Sequence, residues 1–462
     1  MVFSSIVFLS VFLPAVFLLY TVIPSLKVRN ALLIAASLVF YAYGEPVYVL
    51  LMLFSSLLNY FCALWVAKNP QKKSKAALVT AVAVNLGILA VFKYTGMFVT
   101  TFNSLTGLAV PVPAIALPIG ISFFTFQALS YVIDVYRGAV DVQKNYFHIL
   151  LYITFFPQLI AGPIVKYRDI SRQISEREQS VDKIARGLRR FICGLAKKVL
   201  IANAMGQVAD VLFSQDASTM ALPTAWLGAI AYLFQIYYDF SGYSDMAIGL
   251  GLLFGFEFKE NFRYPYGSNS VQIFWRRWHI SLSTWFKEYL YIPIGGNRKG
   301  KLRTALNRII VFFFTGLWHG LFLLIEEYVP FMRKLPRAVG HIYTMLVVTL
   351  GFVLFRADTI GYGLEYIGRM FTGFDMNASS LSTALTQLTP WFIVMLIAAI
   401  IGCAPIRPLA DKIRSVLYGE GELTAAWKAV QIALYVLAAA GLVWCMLRLS
   451  AGAYNPFIYF RF

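Results

Sequence analysis

Residues 46–67 read PVYVLLMLFSSLLNYFCALWVA, an apolar run without a charged side chain. The hydrocarbon core of a bilayer is about 30 Å thick, and a helix needs about 20 apolar residues to cross it. Comparable stretches occur at residues 3–23 (FSSIVFLSVFLPAVFLLYTVI) and 426–447 (AWKAVQIALYVLAAAGLVWCML). These runs predict membrane-crossing helices from one end of the chain to the other.

The composition indicates the same class of protein. Of the 462 residues, 59% are hydrophobic and 13% are charged, whereas a soluble domain has about 25% charged residues because its surface must be solvated. We therefore predict an all-α, polytopic helical bundle that forms a single integral membrane domain over residues 1–462. The first apolar stretch has no basic segment before it and no clear cleavage site, so we expect a retained helix rather than a signal peptide.

The basic side chains are concentrated in short segments between the apolar runs. The net charge is +18, and the cations cluster at about residues 27–29, 68–75, 166–190, 287–308 and 407–414. This distribution is typical of loops that set membrane orientation by the positive-inside rule, and it argues against nucleic-acid binding. Such cations also attract anionic head groups, so membrane lipids are expected partners.

Placing the basic loops on one side gives a set of predicted spans. They cover about residues 31–43, 47–66, 76–102, 114–135, 191–213, 222–256, 339–356, 388–405 and 427–449. Segment 146–167 lies between basic loops and is broken by Pro157 and Gly162-Pro163, which predicts a re-entrant hairpin buried in protein or lining a cavity. Segment 305–328 is either re-entrant as well or carries the cations at 333–337 to the other side. Segment 357–387 is expected to be a loop.

Two carboxylates lie inside an apolar stretch, YYDFSGYSDMAIGLG at residues 237–251. Ionisable groups at such positions are costly and usually have partners or face a cavity. Asp239 and Asp245 therefore suggest either a proton or ion relay or a structural hydrogen-bond network with Ser241, Tyr243 and Ser244. We favour the structural interpretation, because no basic residue is near them in the sequence.

Two of the four histidines stand in distinctive surroundings. His279 follows FWRRW in a segment rich in aromatic residues and cations, and His319 follows FFFTGLW between two glycines. An imidazole with a pKa near 6.5 is suited to general base catalysis at neutral pH, although a buried packing role is equally open on the residues alone. His148 and His341 have no comparable surroundings.

Several other patterns argue against bound cofactors. GGNRKGK at residues 295–301 matches a phosphate-binding loop, but Leu302 stands where Ser or Thr would hold magnesium. The four cysteines are scattered without zinc-site or disulfide spacing, and two histidines without a carboxylate or thiol cluster do not predict a metal site. We therefore expect no metal and no bound cofactor.

Longer motifs give the sequence a specific resemblance. They are YVIDVYRG (131–138), FFPQLIAGPIVKY (155–167), the stretch at 237–251, NFRYPYGSNSVQIFWRRWHISLSTWFKEYLYIPIGGNRKG (261–300) and GLWHG (316–320). Together and in this order they resemble the membrane-bound O-acyltransferase family, in its branch of bacterial alginate O-acetylation proteins.

The resemblance implies transfer of an acyl group, here acetyl, from a cytoplasmic thioester (acetyl-CoA or an acyl carrier) towards hydroxyls of an exported polysaccharide. It implies a helical bundle with a central tunnel in the bacterial inner membrane, and acetyl-accepting partner proteins outside it. By the same resemblance His319 is the catalytic histidine and His279 shares or supports its role. Arg276, Arg277, Trp278 and Trp318 are the implied substrate-binding residues.

The sequence departs from the family at one place. After GLWHG the family usually has a further apolar stretch with tryptophans and a second His-Gly pair, whereas here Gly320 leads directly into LFLLIEEY. Two alternatives therefore stay open: a transporter or flippase that uses Asp239 and Asp245, and a non-catalytic scaffold of an export complex.

Overall fold

The fold is seen in a computed structural model of the chain, which describes residues 1–68, 74–160, 162–298, 300–404, 425–452 and 454–456. The described residues form helices and connecting segments and contain no strand, which confirms the predicted all-α class. Of the predicted basic segments, residues 69–73 of the segment 68–75 and all of the segment 407–414 lie outside the described residues.

The helices are numbered here in chain order. They are α1 Phe8–Val22, α2 Leu26–Ala42, α3 Tyr48–Ala67, α4 Lys75–Thr106, α5 Ile121–Arg137, α6 Tyr146–Thr154, α7 Phe156–Leu159, α8 Tyr167–Glu176, α9 Val181–Phe213, α10 Leu222–Leu253, α11 Val271–Arg277, α12 Ile280–Phe286, α13 Gly300–Thr315, α14 Leu317–Tyr328, α15 Arg337–Arg356, α16 Ile360–Thr372, α17 Ala378–Gln387, α18 Pro390–Gly402 and α19 Ala425–Ser450.

Five helices in the described part of the chain are long and apolar enough to cross a membrane, namely α3, α4, α9, α15 and, from residue 429, α19. The bent pair α17 and α18 makes a sixth if it counts as one span. The chain is therefore a multi-pass membrane protein, as its composition predicts.

Residues 1–188 and 247–259 make up one compact unit. In it α3 packs against α4 and α5, and the buried amides of Asn59 and Asn85 exchange hydrogen bonds of 3.1 and 3.0 Å between α3 and α4. Such amide pairs satisfy polar groups between apolar helices. The predicted break in segment 146–167 is confirmed, because α6 ends at Thr154 and the short α7 starts anew with Pro157 in its first turn.

Residues 189–246 and 260–462 make up the second unit, in which α11, α14 and α15 pack on one another. Helix α13 and helix α14 are separated at Gly316, which has φ 129° and ψ 101°. A side chain with a Cβ is strongly disfavoured in this region of backbone space. The apolar segment 305–328 is therefore two helices rather than one.

Two expectations about local structure are wrong. The predicted span 114–135 starts as a helix only at Ile121, because the preceding residues include Pro111, Pro113 and Pro118, which lack the backbone donor that a helix needs. The predicted loop 357–387 contains α16 and α17, whose starts are capped by the side chains of Thr359 and Asn377. Side-chain caps of this kind stabilise a helix start without apolar periodicity.

Candidate active site

His319 lies in the first turn of α14, immediately after the break at Gly316. Its side chain is 7% exposed and packs edge-on against the ring of Trp275 at 4.9 Å between ring centroids. The rings of Phe352 and Phe274 lie at 6.0 and 6.5 Å. The break at Gly316 thus starts a new helix with its histidine inside an aromatic pocket.

The Nε2 atom of His319 is buried and has no hydrogen-bond partner among the described residues. A Cβ placed on Gly351 of α15 would come within 3.0 Å of this atom, so the absence of a side chain at Gly351 is what leaves it room. A buried polar atom without a partner costs free energy, and in a native protein it calls for an explanation such as a catalytic role.

Trp318 is anchored beside this histidine. Its indole Nε1–H donates to the backbone carbonyl of Val347 on α15 at 2.9 Å, and its ring packs against Phe322 at 5.1 Å. Because tryptophan has only this one donor, the Trp318 side chain offers a substrate an aromatic face and no further hydrogen bond.

His279 lies in the connection between α11 and α12, outside the candidate membrane spans, and adopts the left-handed conformation with φ 43° and ψ 55°. Its side chain is 7% exposed, its Nδ1 is 3.1 Å from Asn261 Oδ1, and its ring packs against Phe240 at 4.5 Å. Burial lowers the pKa of His279 to about 3, since a charged imidazolium is poorly solvated there. The imidazole is therefore neutral at physiological pH.

The two histidines contact the same aromatic cluster, which consists of Phe262, Phe274, Trp275, Trp278 and Phe352. Trp278 is buried in its middle, 5.1 Å from Phe262 and 5.3 Å from Phe352. Phe262 in turn lies 6.4 Å from His279, and Phe352 contacts His319. The fold thus brings both histidines and Trp278 into one region, although no direct contact joins the two imidazoles among the described residues.

Arg276 and Arg277 end helix α11. The Arg276 side chain is exposed and that of Arg277 is half-buried, and Arg277 donates to the Gly267 carbonyl at 3.3 Å. A guanidinium group has five donors, so both arginines keep donors for an anionic group that approaches this end of α11.

Sequence reasoning missed Glu326 as a part of the site. Its carboxylate lies two turns beyond His319 on α14 and accepts hydrogen bonds from the backbone N–H groups of Val271 at 2.6 Å and Gln272 at 3.0 Å. These N–H groups belong to the first turn of α11 and have no acceptor within that helix. Glu326 therefore ties the helix that carries His319 to the helix that carries Trp275. The spacing of seven residues, which puts both side chains on one helix face, was the available signal.

The expectation that Asp239 and Asp245 lack basic partners is wrong. Lys198 lies 2.7 Å from Asp239, and Asp245 binds Lys197 at 2.6 Å and Arg190 at 2.7 Å. The hydroxyls of Ser241 and Ser244 have no hydrogen-bond partner among the described residues, so these two serines do not join the expected network, and α9 supplies ion pairs to both carboxylates. Arg190 also binds Glu260 at 2.5 Å.

In the glycine-rich stretch 295–301, residues 295–298 form a turn and residues 300 and 301 begin helix α13. A helical segment rather than a strand precedes this turn, so the described residues do not provide the strand that a phosphate-binding loop follows. No group of three or more potential metal ligands from His, Cys, Asp and Glu occurs in the part of the chain that the structure describes.

Comparisons with known proteins identify the family. The family model described as MBOAT, membrane-bound O-acyltransferase family, matches residues 36–333. The chain is 38% identical to the probable alginate O-acetylase of Pseudomonas putida and 39% identical to that of Azotobacter vinelandii, in each case over all of both chains. It is 34% identical to the peptidoglycan O-acetyltransferase of Helicobacter pylori over 80% of each chain.

These matches confirm the resemblance read from the motifs, including its alginate O-acetylation branch. The alignment with the Pseudomonas putida protein spans 492 positions, more than the 462 residues of this chain, so the relative has residues without a counterpart here. The helical architecture and the sequence matches together show that this chain belongs to the membrane-bound O-acyltransferase family and is an O-acyltransferase.

Proposed function

We propose that the chain transfers acetyl groups from a cytoplasmic thioester towards hydroxyl groups of an exported polysaccharide. The names of the relatives, an alginate O-acetylase and a peptidoglycan O-acetyltransferase, support a polysaccharide acceptor and an acetyl group. The observation that carries the proposal is the buried imidazole of His319, whose Nε2 is left without a partner next to Trp275. Such an atom is available to a reacting group.

In this proposal His319 is the general base. Its neutral imidazole takes the proton of the acceptor hydroxyl while the hydroxyl oxygen attacks the thioester carbonyl. The tetrahedral intermediate then collapses, the carbon–sulfur bond breaks, and the proton returns to the leaving thiolate. His279 is the second histidine, which shares the proton transfer or supports it. The products are an O-acetyl ester and a free thiol.

The proposal also assigns four residues to substrate binding. Arg276 and Arg277 bind the anionic part of acetyl-CoA or of an acyl carrier at the cytoplasmic mouth of a central tunnel, and Trp278 and Trp318 supply aromatic walls. The chain acts as one domain in the bacterial inner membrane, without a resident cofactor. Partner proteins outside the membrane receive the acetyl group and pass it to the polysaccharide.

The test measures ester-linked acetate on secreted polysaccharide from cells that make the chain or its His319→Ala variant at equal membrane levels. His148→Ala is the matched control, because His148 pairs with Gln143 and has no part in the proposed site. We expect the control to match the natural chain, and His319→Ala to lose about 100-fold or more, the usual contribution of a general base. Equal acetate with His319→Ala would mean that another residue is the catalytic base. No acetate with any of the three proteins would contradict the proposal that a polysaccharide is the acceptor.

A further inference from the structure

Asn261, which precedes His279 by 18 positions, is completely buried and is directed at the segment 279–281. Its backbone carbonyl accepts from Ile280 N–H at 2.9 Å. Its side-chain Oδ1 accepts from Ser281 N–H at 3.1 Å and Ser281 Oγ–H at 2.8 Å, and lies 3.1 Å from His279 Nδ1. One asparagine therefore holds the backbone of this turn and the ring of His279 together.

These contacts fix which way round the Asn261 amide lies. The backbone N–H of Ser281 can only donate, so the atom that faces it must be the amide oxygen. The reversed amide would set its NH2 group against that N–H, donor against donor. In this orientation Asn261 Nδ2 has no hydrogen-bond partner among the described residues. The hydrogen bonds that Oδ1 accepts are therefore what orients the amide.

The orientation in turn decides the tautomer of His279. Oδ1 of a neutral amide is only an acceptor, so Nδ1 of His279 must carry the hydrogen that lies between them. The Ser281 hydroxyl uses its single hydrogen on Oδ1 and is 3.5 Å from Nδ1, too far to donate well. A neutral imidazole has one N–H, which leaves Nε2 with a free lone pair. The structure gives this Nε2 no hydrogen bond among the described residues.

We infer that Asn261 is a positioning residue that holds His279 as its Nδ1–H tautomer, so that Nε2 is the atom that accepts a proton or hydrogen bond from the substrate. This inference rests on the proposed function for the reaction that His279 serves, although the tautomer itself does not.

The choice of an amide rather than a carboxylate at position 261 has a physical reason. The hydrogen-bond and ring partners of the His279 side chain among the described residues are Asn261, Ser281, Phe240 and Phe262, and none of these four side chains titrates near neutral pH. A carboxylate at position 261, about 3 Å from the ring, would favour the imidazolium form, in which Nε2 is protonated and cannot accept. The amide orients the ring and leaves it neutral.

The experiment measures the tautomer directly. The full chain, with 15N-labelled histidine, is reconstituted in lipid bilayers and examined by solid-state NMR, where protonated and bare ring nitrogens resonate far apart. The sequence has only four histidines, and the spectrum of a His279→Ala sample identifies the signals of His279. We expect Nδ1 protonated and Nε2 bare in the natural chain, and a mixture of tautomers in Asn261→Ala. A protonated Nε2 in the natural chain, or an unchanged tautomer in Asn261→Ala, would overturn the inference.

A pH profile gives the second readout. Inside-out membrane vesicles are supplied with labelled acetyl-CoA, and transfer is followed with falling pH. A base is active when deprotonated, so activity falls as pH drops through its pKa. In Asn261→Asp the new carboxylate raises the pKa of His279, and we expect the acidic limb to move up by about 1–3 pH units. An unmoved limb in this variant would contradict the inference.

A matched control separates positioning from general loss of structure. Asn85→Ala removes another buried asparagine, which pairs with Asn59 and belongs to the first compact unit rather than to the unit that contains His279. We expect its pH profile and its histidine spectrum to be those of the natural chain. If vesicles with the natural chain transfer no acetyl group while the NMR tautomer is as expected, the proposed function fails and the inference about Asn261 stands.

Discussion

The ion pair between Lys198 and Asp239 allows a quantitative test of how the helices of the second unit are held together. Both side chains are 2% exposed, and Nζ lies 2.7 Å from Oδ1. Lys198 also donates to the backbone carbonyl of Pro456. With an effective dielectric constant of about 20, two unit charges at this distance attract each other by about 6 kcal/mol. The cost of removing both charges from water offsets much of this attraction.

Replacing Lys198 by Met deletes one charge and leaves the other buried. We expect Lys198→Met to lower the free energy of unfolding by about 3–5 kcal/mol, because the carboxylate of Asp239, which is 2% exposed, loses the ammonium group that lies 2.7 Å from it. The double variant Lys198→Met/Asp239→Asn removes both charges. It should recover a part of this loss, with a coupling energy of roughly 1–3 kcal/mol between the two sites.

The assay is denaturant unfolding in detergent micelles, followed by tryptophan fluorescence, for the natural chain, both single variants and the double variant. Arg172→Met is the control, because its ion pair with Glu176 is exposed on both sides and such pairs contribute about 0–1 kcal/mol. If Lys198→Met unfolds like the Arg172→Met control, or if the double variant is no more stable than Lys198→Met, the pair is not a buried and charged one and the reasoning is refuted.

The double variant also tests the alternative of an ion relay. A folded double variant that still transfers acetyl groups would make Asp239 a structural residue, since its carboxylate would then be dispensable. Loss of transfer in a protein of normal stability would instead give the carboxylate a functional role that the ion pair conceals.

Two further predictions concern residues around His319. In Gly351→Ala the new Cβ would lie 2.6 Å from Trp318 Cδ1 and 3.0 Å from His319 Nε2, so we expect a loss of acetyl transfer and about 1–3 kcal/mol of stability. Gly368→Ala, where a Cβ meets nothing within 4 Å, should keep both, and equal behaviour of the two variants would contradict the packing argument. Glu326→Ala leaves the backbone donors of Val271 and Gln272 unpaired, which costs about 1–3 kcal/mol and releases Trp275 from His319. Acetate yield and thermal unfolding should show Glu326→Gln, which keeps one acceptor oxygen, between the alanine variant and the natural chain, and an inactive but stable Glu326→Gln would speak for a chemical role instead.

Much of the fold followed from the sequence because apolar length is a local property. The predicted span 47–66 became helix Tyr48–Ala67, and the predicted span 427–449 became Ala425–Ser450. The ion partners of Asp239 and Asp245 did not follow, although Lys197 and Lys198 stand in a predicted span. A stretch of π-helix at Lys197–Ala202 changes the face that each side chain presents, because the wider turn shifts the angular positions of the residues around it. The pattern of apolar residues in the sequence does not predict such a change, so the ion pairs could not be predicted either.

The candidate site likewise has a part that the sequence predicts and a part that it does not. The histidines were found from their motifs, whereas Asn261 and Gly351 act on them across distances in sequence that no periodicity connects. Asn261 stands at the start of a motif already singled out, so the sequence contained a signal without a role attached to it. The sequence contains no such signal for Gly351, because a glycine in an apolar helix is compatible with many kinds of close packing.

The shortening after Gly320 that the family resemblance predicts is the feature that most favoured a non-catalytic scaffold. In the structure, α14 runs without interruption from His319 to Glu326, and the Glu326 carboxylate closes the start of the helix that carries Trp275. The segment is therefore long enough to include both His319, the proposed base, and the carboxylate that binds the helix of its neighbour Trp275. A buried Nε2 without a partner is costly to maintain, and a scaffold would gain nothing from a pocket built around it. For this reason the predicted shortening favours a more compact site in this enzyme over the loss of one.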